Sequence, residues 1–282
     1  MRQLEYINGI SGVTQGGTAT LNLPLNRRYH GLKLFPTAMI EGDPVGAAGV
    51  FDTPTDDPLV IIRSVKLLVN GTAQIDLPVA DMIRLAQIDA GGVAVDDHVP
   101  IFFSNPAIAT VLGEELTSWD MFGQRTFALQ VEFRENIRNP LLETLASFDY
   151  FRNRVGNQNV LNIVRRLAYT FSAPAGSHDI VALPKRDPIL RIHIAPSVGT
   201  ISRAEVVADN LKVFEAKKAQ NDAYLKDYGI ISPYAYSVIF NHEQQLTSPL
   251  KVARDLNLRA TFSDANSSTF IIETVSNGYG SN

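Results

Sequence analysis

The five histidines, His30, His98, His178, His193 and His242, are the side chains best suited to hold a metal or move a proton, but their spacing supports neither role. The chain has no His-x-His pair, no His-Glu-x-x-His helix and no carboxylate at ligand spacing from a histidine, so a strand-borne metal centre is not expected. It also lacks a Gly-x-Ser-x-Gly elbow, a phosphate loop and a dinucleotide fingerprint; Gly16-Gly17 and Gly91-Gly92 read as turns. Two acidic pairs, Asp56-Asp57 and Asp96-Asp97, offer the oxygen ligands that calcium takes. Both fall in predicted loops, where exposed acids are usual, so no cofactor is expected beyond the possibility of structural calcium there. A paired-carboxylate glycosidase would set its acids on a concave sheet face, and the candidate faces are apolar. Trp119 is the single tryptophan, and the tyrosines form no clustered platform for a sugar. No catalytic, cofactor-binding or metal residue is assigned.

The elements that would have to position such residues are written twice. Thr18 to Leu34, TATLNLPLNRRYHGLKL, has a counterpart in His178 to Ile194, HDIVALPKRDPILRIHI. Leu23-Pro24 matches Leu183-Pro184, and Leu32 and Leu34 match Ile192 and Ile194, all 160 positions apart. Further upstream, Leu4 and Tyr6 match Leu167 and Tyr169 at 163. Ala19, Leu21, Leu23 and Leu25 alternate with polar residues and a proline, the period of a strand with one buried and one wet face. Leu32 and Leu34 flank Lys33, as Leu190, Ile192 and Ile194 flank Arg191 and His193.

Taken in order, Glu41 to Pro58 reads as a long surface loop rich in Gly, Pro and Asp, against only Pro196 to Ser202 in the second half. Asn70-Gly71 predicts a hairpin turn, because both residues tolerate positive φ. Val79, Met82, Ile83 and Ala86 predict a short amphipathic helix. The stretch from Asp209 to Gly229 predicts a longer helix, capped at Asp209 or Asn210 and stopped at Gly229. Val99, Ile101 and Phe103 mirror Tyr236, Val238 and Phe240; Leu116 to Phe122 is matched to Leu256 to Phe262, and the final strands open at Thr126-Phe127 and Thr269-Phe270. Asn139-Pro140 looks like a helix start, with Leu141, Leu142, Leu145 and Phe148 as its apolar stripe. The resulting division is a first jelly roll at 1–138, a helical connector at 139–159 and a second jelly roll at 160–282. The predicted class is all-β, with about eight short strands per copy and short crossing helices.

Composition narrows the function. A net charge of −4 and a pI near 5.7 provide no basic field for coating nucleic acid. The charged fraction, 19%, is below the roughly 25% usual for soluble domains, which fits either a surface partly covered by neighbours or the smaller use of Lys and Glu in sheet proteins. With no cysteine, disulfides and thiolate metal sites are excluded. The first residues, MRQLEYINGISG, lack a signal-like apolar run, and no segment reaches membrane-span length, which predicts a protein soluble when made.

Tandem eight-stranded units without a catalytic motif resemble the double jelly-roll major capsid proteins. The similarity is to coat proteins of tailless icosahedral bacteriophages with an internal membrane, the corticovirus type. It is carried by Val181 to Pro184, Arg191 to Ile194, the helix end at Lys226-Asp227-Tyr228-Gly229 and the FIIETV strand from Phe270. The resemblance implies a homotrimer whose six jelly rolls form a pseudo-hexagonal tile of a virion shell around a membrane. It also implies neighbouring trimers and other capsid or membrane-associated virion proteins as partners, assembly in the host cytoplasm and no active site. A non-viral tandem sandwich, carbohydrate-binding or adhesin-like, is the alternative.

Overall fold

The computed structural model describes residues 2–40, 53–91, 97–104, 117–150, 163–241 and 249–279. The chain forms two compact units, one of Met1–Ile163 with Asn277–Asn282 and one of Val164–Ser276.

In the first unit, β1 (Gln3–Tyr6), β10 (Ile137–Tyr150), β3 (Arg27–Ile40) and β7 (Val99–Phe102) form one antiparallel sheet. The short strands β4 (Thr53–Thr55) and β8 (Trp119–Asp120) pair with the ends of β3. The facing sheet orders β2 (Thr18–Asn22), β9 (Phe127–Phe133), β5 (Ile62–Val69) and β6 (Thr72–Pro78). Helix α1 (Pro58–Ile61) precedes β5, and α2 (Val79–Asp89) follows β6 and packs on β5, β6 and β7. The predicted alternation is present: Val65, Leu67, Leu129 and Val131 are buried, and Lys66 and Gln130 between them are not. Trp119 is buried too, stacked on Phe103 at 4.4 Å.

The second unit repeats this plan. One sheet orders β11 (Ile163–Ala173), β18 (Asn266–Ser276), β13 (Ile189–Pro196) and β16 (Tyr236–Ile239); the other orders β12 (Gly176–Ile180), β17 (Leu256–Phe262), β14 (Ile201–Ala208) and β15 (Leu211–Lys217). Helix α3 (Lys218–Asp227) follows β15. Ile192, Ile194, Phe270 and Ile272 from one sheet meet Ala204, Val206, Leu258 and Ala260 from the other in a single apolar core.

The two copies agree in register as well as in order. Leu32 pairs with Ile101 and Leu34 with Val99; their counterparts Ile192 and Ile194 pair with Val238 and Tyr236, a constant offset of 137 on the partner strand. On the other side, Leu32 and Leu34 face Ala146 and Thr144, while Ile192 and Ile194 face Ile272 and Phe270, a constant offset of 126. The last strand of the first copy is therefore β10, the equivalent of β18. The strand opening at Phe127 corresponds to β17, because Val131 faces Val65 as Ala260 faces Ala204.

This equivalence corrects the helical connector. Residues 137–150 are a strand, and Leu142, Thr144, Ala146 and Phe148 are its buried set. Leu141, Leu142, Leu145 and Phe148 fit a helical stripe on paper, but the period of two pairs this stretch along the full length of β3, and tertiary pairing decides. Asn139 has φ of 48° and lies with Pro140 at a register shift between Arg138 and Leu141, a bulge where a strand tolerates proline. Residues 151–162 of the expected connector, and 41–52 of the expected long loop, lie outside the described residues.

The second expected helix is also shorter. Asp209 and Asn210, at φ 50° and 66°, form the turn of the β14–β15 hairpin instead of a helix cap, just as Asn70 and Gly71, at 52° and 78°, turn β5 into β6. Only Lys218–Asp227 is helical, ending before Gly229 at φ 71°, as predicted for the stop. Lys218 and Asp222 form its ion pair one turn apart.

One offset departs by a single residue from the constant 160 expected from the sequence. Leu21 faces Leu129, and its counterpart by register is Ile180, which faces Leu258; the separation is 159 here. Val181, matched to Leu21 at 160, lies past the strand and is 65% exposed, while Ile180 is buried. In a period of two, one residue of slip reverses the face. Ile180→Ala is expected to cost about 2–5 kcal/mol and Val181→Ala less than about 0.5 kcal/mol; urea-unfolding midpoints of the two variants check the assignment.

Candidate assembly face and a buried ion cluster

The outward faces of the two equivalent sheets hold different chemistry at matching positions. In the second unit, alternation sends Arg191 and His193 on β13, and Ile271 and Glu273 on β18, away from the apolar core. All four are nevertheless buried. Glu273 accepts from Arg166 Nε at 2.9 Å, from His193 Nε2 at 3.1 Å and from Arg191 Nη1 at 3.4 Å. His193 Nδ1 lies 2.7 Å from the Ser237 hydroxyl, and its ring stacks on Tyr234 with centroids 4.6 Å apart. Arg191 Nε also donates to Asn241 Oδ1 at 3.2 Å. Burial alone would raise the Glu273 carboxyl pKa, but the charges of Arg191 and Arg166, with the hydrogen bond from His193, hold it far below the usual carboxylate range.

A strand with one buried and one wet face would put Arg191 and His193, which alternate with Leu190, Ile192 and Ile194, on the wet side. The signal against it was the unbroken run Phe270, Ile271, Ile272 on the neighbouring strand, which marks a strand buried on both faces.

In the first unit the register-equivalent positions are Gly31 and Lys33 on β3, Leu145 and Ser147 on β10, and Phe102 on β7. They line an open groove of about 570 Å³ together with Leu4 on β1. At its side, a register shift between Ser147 and Phe148 re-aims His30, whose Nε2 lies 2.6 Å from Asp149 Oδ2. Burial keeps the His30 pKa below its ordinary value despite the opposing hydrogen bond that its Nε2 donates to Asp149. For Asp149 burial alone would raise the carboxyl, but the hydrogen bond from His30 together with nearby positive charge keeps it below its usual range. Gly31 fits because a Cβ there would stand 2.9 Å from the Ile101 carbonyl oxygen. Gly31→Ala is expected to cost about 1–3 kcal/mol by overpacking, read as a lowered melting temperature.

The remaining histidines do not converge. His98 binds Asp97 at 2.6 Å and stacks on Phe35, His178 sits on β12, and His242 lies outside the described residues. Asp57 caps α1 by accepting from Leu59 N at 2.8 Å, and Asp96 lies outside the described residues. Among the described residues no three metal-ligating side chains cluster, and no helix is long and apolar enough to cross a membrane.

Comparison with known proteins gives this arrangement its context. The family model of the viral coat protein P2 N-terminal domain matches residues 55–149, and that of the P2 C-terminal domain matches residues 163–278. Among solved structures, the major capsid protein P2 from Bacteriophage PM2 aligns at a TM-score of 0.79 and 19% identity, over 98% of this chain and 97% of that one. A chain from the atomic structure of Sulfolobus Turreted Icosahedral Virus aligns at 0.73 and 10%, over 99% and 91%. One from the PBCV-1 virus capsid aligns at 0.64 and 9%, over 98% and 94%. No curated protein matches by sequence. With both P2 domain families matched in order along one chain, and the two halves register-equivalent jelly rolls, the chain belongs to the viral coat protein P2 family and is a structural major capsid protein, not an enzyme.

Proposed function

We propose that this coat protein works as a homotrimer whose six jelly rolls form a pseudo-hexagonal tile, and that such tiles close an icosahedral bacteriophage shell around an internal membrane after synthesis in the host cytoplasm. The observation that carries the reading is the residue-for-residue register match between the halves. Two equivalent folds per chain, repeated three times about one axis, supply six near-equivalent edges from one gene product, and cyclic closure makes a tile where an open arrangement would make a fibre. Neighbouring trimers are its principal partners, with other virion proteins tying the shell to the membrane. The carbohydrate-binding or adhesin-like alternative has no observation in its favour; Trp119, its best sugar-stacking candidate, is buried.

Sedimentation velocity with cross-linking over a range of concentrations tests the trimer. The expected species is three times 30.9 kDa, about 93 kDa; a chain that stays monomeric at every concentration contradicts it. No bound ion is needed in this reading. Melting with and without a chelator should give the same midpoint, whereas a chelator effect abolished by Asp56→Asn would assign calcium to that loop.

A further inference from the structure

We propose that residues 277–279, the segment that follows β18, are a latch by which a folded second jelly roll closes the first. The latch stands on the fold alone and does not depend on the trimer reading.

The chain enters the second unit at Val164 and leaves it at Ser276, the last residue of β18; from Asn277 onward it belongs to the first unit again. A segment past the last strand is ordinarily loose unless something ties it down, and here three contacts do. Tyr279 is 4% exposed, and its hydroxyl donates to the Asp120 carbonyl at 2.8 Å. Its own carbonyl accepts from Gln74 Nε2 at 2.7 Å, and Gln74, on β6, is fully buried. Its ring stands edge-on to Trp119 with centroids 5.8 Å apart. A buried tyrosine whose ring packs on an aromatic neighbour and whose hydroxyl has a partner is a firm anchor.

What the latch holds is a strand too short to hold itself. β8 is two residues long and pairs with β3 at Arg28↔Asp120 and Tyr29↔Trp119. Two pairs do not keep a strand in place without packing, and Tyr279 touches both residues of β8, one through its ring and one through its hydroxyl. Its departure would also take an acceptor from the buried Gln74 amide, a loss that costs the desolvation of that group. The anchor is delivered by the second unit. While β18 is folded, Tyr279 lies three residues from a fixed strand end. Once the second unit unfolds, Tyr279 hangs from more than a hundred residues of loose chain, and the effective concentration of a tethered group falls steeply with tether length. The first jelly roll is therefore complete only in a chain whose second jelly roll is folded.

The test uses the full-length chain, in which Trp119 is the single tryptophan and so reports the first unit. Tyr279→Ala is expected to shift Trp119 emission to the red and to speed hydrogen exchange of the β8 amides on the order of 100-fold, as the loss of a buried aromatic side chain allows, with the circular dichroism unchanged. Ile192→Val, which leaves a small cavity in the core of the second unit, probes the coupling. In the otherwise native chain it should lower the urea midpoint read by Trp119; in the Tyr279→Ala background that shift should vanish. Native Trp119 emission and β8 exchange in Tyr279→Ala, or an Ile192→Val shift that persists undiminished without Tyr279, overturns the latch. Should Tyr279→Ala fail to fold, Tyr279→Phe, which keeps the ring and loses the hydroxyl bond to Asp120, decides on the same two readouts: a smaller change in the same direction supports the latch, and no change overturns it.

Discussion

Glu273→Gln is expected to remove about 3–5 kcal/mol from the stability of the second unit, because it leaves buried cations without their counter-charge. Arg166, Arg191 and His193 converge on this carboxylate, and the whole set is shielded from water. A surface pair would cost about 1 kcal/mol or less to break. The pH dependence has a definite sign. Since the folded-state pKa of Glu273 is depressed, its contribution is complete above the unfolded carboxylate value of about 4.3 and is lost as pH falls below that value toward the folded pKa. The deficit of the variant should thus be largest at neutral pH and shrink in acid. Urea unfolding at pH 7 and near pH 3 measures both points. A deficit under about 1 kcal/mol at neutral pH, or one that grows in acid, would contradict the account of the cluster.

Phe148→Ala is expected to cost about 3–5 kcal/mol, while Leu141→Ala at concentrations too low for assembly should cost no more than about 0.5 kcal/mol. Phe148 is fully buried, packs near Tyr29, and has the Arg27 guanidinium 4.0 Å above its ring. Leu141 points the other way from the same strand. A helix over this segment would put both residues on one apolar stripe and make the two substitutions comparable, so the ratio of the two effects separates strand from helix. Equal costs would contradict the strand.

The same stretch shows how far the sequence could be read. Where a copy keeps its period of two and its partners, as Leu32 and Leu34 do with Ile192 and Ile194, the pattern gives strand, face and equivalence together. Where leucines crowd, as at Leu141, Leu142 and Leu145, both periods fit, and the choice depends on β3, a partner more than a hundred residues away in the chain. Matching β10 to β18 would have resolved it, since the first jelly roll lacks its eighth strand without residues 137–150. The turn at Asp209-Asn210 looks like a helix cap in the sequence because the same residue types favour both turns and caps. Its equivalence to Asn70-Gly71 was the available clue. The C-terminal return was not legible: Tyr279 accepts from Gln74 Nε2 at 2.7 Å and donates its hydroxyl to the Asp120 carbonyl at 2.8 Å, placing the chain end in the first unit instead of the second.

Electron cryomicroscopy of particles purified from the source tests the central claim most directly. The account predicts a closed shell whose tiles have a six-fold outline and contain three copies of this chain. Particles that lack the chain, or tiles built from a number of copies other than three, would contradict it.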